Sequence, residues 1–90
     1  MATSRKMIES LFKYFIESIG GKMASSWNDV GGYAINYNAT YGGYQIVRIS
    51  NSSGGMSEPF GSARMKAGVF EDALRFGTKS VEEYKRNKKR

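Results

Sequence analysis

Ninety residues with 40% apolar and 24% charged side chains suffice for one hydrophobic core and not for two. The absence of cysteine and histidine excludes disulfides, thiolate nucleophiles, the usual structural zinc sites and imidazole acid–base chemistry. The net charge of +6 is concentrated at one end: residues 85 to 90 hold five of the 14 basic residues, which leaves nine basic against eight acidic over residues 1 to 84.

In chain order, residues 5 to 19 carry the clearest periodicity. Ile8, Leu11, Phe12, Phe15, Ile16 and Ile19 recur at the spacing of one helix face, Thr3 or Ser4 is placed to cap the start, and Gly20-Gly21 marks the stop. Four glycine pairs follow at 20–21, 31–32, 42–43 and 54–55, a turn spacing that suits an antiparallel meander. Tyr33 to Asn38 alternates as a half-buried strand, Asn38 to Gly43 reads as a hairpin loop, and Tyr44 to Ser50 is rich in β-branched and aromatic residues. Met23 to Val30 is a strand or a loop. Met56 to Phe60 is a candidate short edge strand, a place where Pro59 costs no ladder bond.

After Gly61, Ser62 is positioned to cap a second helix running to about Phe76. Ala63, Ala67, Phe70, Ala73 and Leu74 share one face, Val69 and Phe76 widen it, and Gly77 lies beyond the end. Ser80-Val81-Glu82-Glu83 has the form of a capping box, which predicts a last short basic helix anchored by Val81 and Tyr84. The expected fold class is α+β: an N-terminal amphipathic helix, a two- to three-stranded antiparallel sheet, a C-terminal helix and the short terminal helix. Residues 1 to 84 form a single compact domain in this reading, and residues 85 to 90 a basic tail. No apolar run approaches the roughly 20 residues of a membrane span and the start does not resemble a secretion signal, so an intracellular, cytoplasmic setting without membrane contact is expected.

No constellation specifies catalysis. Glu71-Asp72 and Glu82-Glu83 are sequence neighbours, which point about 100° apart on a helix and make neither a metal clamp nor a paired acid–base dyad. Neither an enzyme nor a metal or other cofactor is expected. The loop from Ser50 to Ser57 has glycines and hydroxyls suited to anion contact, without the Gly-Lys-Ser/Thr ending of a phosphate loop; the competing reading is an ordinary turn. Tyr33, Tyr37, Tyr41, Tyr44 and Phe60, with Trp27 nearby, form an aromatic set that serves either base stacking, a protein interface or simply the core; Tyr41 sits at the predicted loop tip. Arg48 interrupts an apolar strand, and Arg64, Lys66 and Arg75 fall on the predicted second helix, where they line a phosphate-binding surface or solvate it. Lys85, Arg86, Lys88, Lys89 and Arg90 make up the tail.

Tyr41-Gly42-Gly43-Tyr44, then Val47-Arg48-Ile49, Gly54-Gly55 and Pro59-Phe60-Gly61 ahead of the Arg64 to Phe76 stretch, resembles a pattern in short proteins encoded by bacteriophages and other mobile elements, over roughly residues 33 to 76. The resemblance carries no assigned activity; it implies a genomic setting in which small proteins often inhibit or assist host machinery. The element order alone is similar to that of double-stranded-RNA-binding domains. Their last helix opens on a basic cluster and their loop bears a histidine, whereas this stretch opens Ser62-Ala63-Arg64-Met65-Lys66-Ala67 and the chain has no histidine, so no site is carried over. Three roles stay open: a nucleic-acid-associated module using Tyr37, Tyr41, Tyr44, Arg48, Arg64, Lys66 and the tail; an accessory or inhibitory protein that occupies a host protein through the hairpin aromatics; and a homodimer closed by that same hairpin surface, which open sheet edges would favour.

Overall fold

A computed structural model describes residues 4–88 and shows an α+β chain. Its elements are α1 (Arg5–Ser18), β1 (Lys22–Met23), β2 (Gly32–Asn38), β3 (Gly43–Ile49), β4 (Met56–Ser57) and α2 (Ala67–Lys88). One four-stranded sheet has the order β1-β2-β3-β4.

The first helix forms as its spacing demands. Ser4 accepts the Met7 N–H at 3.1 Å, and the buried face is Ile8, Phe12, Phe15 and Ile16. These join Ile46, Phe70 and Leu74 in the main core, with Leu11, Tyr33, Ile35, Tyr44, Met65 and Ala67 packed around it. Both helices contribute to that cluster and run in the same direction: Met7 meets Arg75, Gly77 abuts Phe15, and Lys85 reaches Ser18. In the hairpin, Tyr33, Ile35 and Tyr37 stand opposite Arg48, Ile46 and Tyr44. Val47 and Ile49 occupy the alternate positions of β3; they are also buried, but outside the main cluster.

Four features differ from the sequence expectation. The sheet is mixed and has four strands, because Lys22–Met23 pairs parallel with Gly32–Tyr33 and Met56–Ser57 pairs antiparallel with Arg48–Ile49. An eight-residue loop can return the chain to a parallel neighbour here because Asp29 ties it shut: its carboxylate accepts from Lys22 Nζ at 2.8 Å and from the Ser25 N–H at 2.9 Å. Those bonds, Lys22 first, hold the Asp29 carboxyl below its ordinary pKa.

Secondly, Gly77 does not stop the second helix, and no separate helix starts at Ser80; α2 is continuous from Ala67 to Lys88. A Cβ on Gly77 would lie 2.7 Å from Phe15 Cε1, so the missing side chain lets the helices approach and is not an end signal. Ser62 does not open the helix either. Residues 62 to 66 are not helical; within them Met65 bridges β3, exchanging two backbone bonds of 2.8 Å with Tyr44, and Arg64 and Lys66 therefore precede α2 instead of lying on it.

Thirdly, Val69 and Phe76 do not widen the core face. Phe76 is 76% exposed, because the face that meets α1 is centred on Phe70 and Leu74. Finally, Lys85, Arg86 and Lys88 are helical and belong to no separate tail; Lys89 and Arg90 lie outside the described residues.

Candidate interaction surface

Of the residues singled out by type, Tyr37, Tyr44 and Lys66 meet in one concavity of about 270 Å³ at the hairpin end, while Arg48 and the Lys85, Arg86 and Lys88 group lie elsewhere. At the hairpin end, Tyr37 packs on Tyr44 (4.6 Å between centroids), Tyr44 stacks on Phe70 (5.3 Å, 13°), and the Arg5 guanidinium lies 5.4 Å from the Tyr44 centroid. Tyr44 is thus a structural tie between sheet and helices, while Tyr37 keeps one side open. Tyr41, at the turn, is 72% exposed.

Most of the cations have intramolecular work. Arg64 donates through Nη1 to the carbonyls of Asn36 and Gly43, both at 3.1 Å, clamping the two strands of the hairpin. Arg48 lies over the Tyr33 ring at 5.8 Å. Lys85 donates to the Ser18 carbonyl at 3.0 Å, placing a positive charge at the C-terminal, dipole-negative end of α1. Arg86 pairs with Glu83 at 3.1 Å and Lys88 sits 5.8 Å from the Tyr84 centroid. Lys66 remains exposed beside the hairpin turn, about 28 Å of helix away from Lys85.

The glycine-rich loop after β3 is closed on itself. Asn51 Oδ1 accepts the N–H groups of Ser53 and Gly55, both at 2.9 Å, so those donors are committed to the turn. Glu71 pairs with Arg75 at 3.0 Å. Among the described residues no acidic cluster is arranged to hold a metal ion, and no helix is long and apolar enough to cross a membrane.

A further concavity lies elsewhere, between α1 and the outer side of β2. It is a groove of about 500 Å³ lined by Arg5, Lys6, Glu9 and Lys13 from the helix and by Met23 and Ala34 from the sheet side, among others. Arg5 bonds Glu9 at 3.1 Å. Burial is the largest single influence on the Arg5 guanidinium and opposes its charge, but Glu9 and the Tyr44 hydroxyl together outweigh it and leave its pKa above the ordinary value. Among the described residues Lys6 and Lys13 enter no ion pair.

The floor of this groove is an open strand edge. Ala24 N–H donates to the Tyr33 carbonyl at 2.9 Å on the β1 side, and Tyr44 turns its backbone groups to Met65 on the far side of β3. Backbone groups alternate along a strand, so Ala34, Asn36 and Asn38 turn theirs toward β3, while Tyr33, Ile35 and Tyr37 turn theirs outward. Since β1 ends at Met23, opposite Tyr33, the outward groups of Ile35 and Tyr37 have no strand partner among the described residues.

Sequence reasoning missed this place because it asked which cations accompany aromatics. Lys6 and Lys13 lie off the apolar face of α1, and the only signal in the sequence is their separation of seven residues, two helical turns on one side. No protein-family model, no curated protein and no solved structure matches the chain.

Proposed function

We propose that this chain is a non-enzymatic binding module whose partner is a protein, engaged at the groove between α1 and β2. One observation carries the reading: a groove of about 500 Å³ runs beside a strand edge where, beyond Tyr33, the outward amide and carbonyl groups have no strand partner among the described residues. Such an edge is a template for main-chain hydrogen bonding, and an added strand is the usual way it is satisfied. The distribution of cations favours a protein over a nucleic acid. Phosphate binding needs free positive groups in a continuous track. Here Arg64, Lys85 and Arg86 are committed to carbonyls or a carboxylate, and Lys66 stands a helix length from the C-terminal group.

The test is selection of a random displayed-peptide library on the full chain, with anisotropy of labelled single-stranded and duplex DNA and RNA measured alongside across a salt series. Enriched peptides that bind reversibly, with oligonucleotide binding lost by near-physiological salt, support the reading. Oligonucleotide binding that persists at that salt, with no peptide enriched, overturns it.

A further inference from the structure

Building on that protein-binding reading, we propose that the groove takes an extended acidic segment of a partner, added as a fifth strand against Ile35 and Tyr37 with its carboxylates facing Lys6 and Lys13.

Three features converge on this occupant. The edge itself sets the conformation: Ile35, which lines the groove, and Tyr37, next along the same edge, each turn one N–H and one C=O outward, spaced two residues or about 6.8 Å apart, the repeat of a β-strand. An extended chain can therefore exchange backbone bonds at both positions, whereas a helix, whose own bonds are internal, can exchange none. The length is bounded as well. Upstream the site is blocked by β1, which already pairs with Gly32 and Tyr33, and downstream the strand ends at Asn38, so about five residues fit.

Charge then selects the sequence class. The wall formed by α1 holds Arg5, Lys6 and Lys13 against one carboxylate, Glu9, and Arg5 already pairs with that carboxylate. Lys6 and Lys13 stand on the same side of the helix, about 10 Å apart. Acidic residues at alternating positions of an added strand fall on one face and come within reach of both long side chains. The same charge argues against a second copy of this chain as the occupant. Pairing two β2 edges would bring each α1, with its Arg5, Lys6 and Lys13, toward its counterpart, placing like charges together.

The experiment uses the full ¹⁵N-labelled chain and three capped nine-residue peptides: alternating valine and glutamate, alternating valine and lysine, and the valine–glutamate peptide with alternate backbone nitrogens methylated. The expected result is saturable binding of the first peptide, with amide shifts and slowed exchange at Ile35 and Tyr37. It should weaken about tenfold in the Lys6→Glu/Lys13→Glu chain and by a similar factor for the methylated peptide in the register that blocks the ladder. Both lysines are exposed, so the double variant is expected to keep the wild-type spectrum elsewhere.

Equal binding of the lysine peptide overturns the charge selection, and shifts that map away from Ile35 and Tyr37 overturn the strand addition. An oligonucleotide that shifts the α1 and β2 signals when no peptide does overturns the proposal in favour of a polyanion. A doubling of mass by light scattering with the same two amides protected overturns it in favour of self-pairing. If library selection enriches peptides that are not acidic or bind elsewhere, this inference fails while the protein-binding reading stands; if selection enriches none, both fail.

Discussion

β2 and β3 are each seven residues long and pair with each other at six positions, yet their outer edges are finished in opposite ways. The edge of β3 is covered at both ends: β4 pairs at Arg48 and Ile49, Met65 pairs at Tyr44, and between them the buried Gln45 side chain holds the strap by bonding the Glu58 carboxylate and the Ser62 carbonyl. Among the described residues the edge of β2 is paired only at Gly32 and Tyr33. A small protein that covers one edge with a ten-residue strap and leaves the other beside a cationic groove separates stability from recognition. Substitutions along the first edge should cost stability; changes along the second should cost binding and little else.

The largest stability effect is expected at Gly43. Its φ of +117° is one that other residues adopt only with strain, and a Cβ there would strike the Met65 carbonyl. Gly43→Ala should lose about 3 kcal/mol in urea denaturation, from backbone strain and the displaced bridge together. A loss well under 1 kcal/mol would mean that the Met65 bridge does not seal the edge. Arg64→Met retains the alkyl stem and removes two charge-assisted bonds to the Asn36 and Gly43 carbonyls; about 2 kcal/mol is expected by the same measurement.

Next comes a contrast within the native state. Hydrogen exchange should be about 100-fold faster at Ile35 and Tyr37 than at Tyr44, whose N–H is bonded to Met65. Comparable protection at the three sites would erase the distinction between the edges.

The smallest effect is a pH-dependent one at the β1 end. The Asp29 carboxyl has a depressed folded-state pKa, so its contribution is present above the ordinary value of 3.8 and is lost as pH falls below that value through the folded one. Trp27, exposed in the loop that Asp29 ties, should report this as an emission change at low pH that is absent in Asp29→Asn. An unchanged profile in the variant would assign the transition to another carboxylate.

Much of the architecture was legible locally. The period of Ile8, Phe12, Phe15 and Ile16 marked α1, and the alternation from Tyr33 with the β-branched run to Ile49 marked the hairpin, because each pattern repeats within a few residues of itself. The candidate site was less legible. Tyr41 was rightly placed at a turn, but Tyr44, Arg64 and Lys85 looked free for a ligand when read by residue type, and each proves to have intramolecular contacts.

What the sequence by itself determined is the set of segments able to bury a face: one amphipathic helix, one alternating hairpin, and a second helical stripe through Phe70 and Leu74. What only the tertiary structure decided is how the segments end and what their polar residues do. Gly77 becomes a crossing point because Phe15 lies against it, and Lys85 becomes a helix cap across a separation of 67 residues. The physical reason is range: burial writes a period into neighbouring residues, whereas a hydrogen bond or a close approach depends on a partner whose position exists only once the chain has packed.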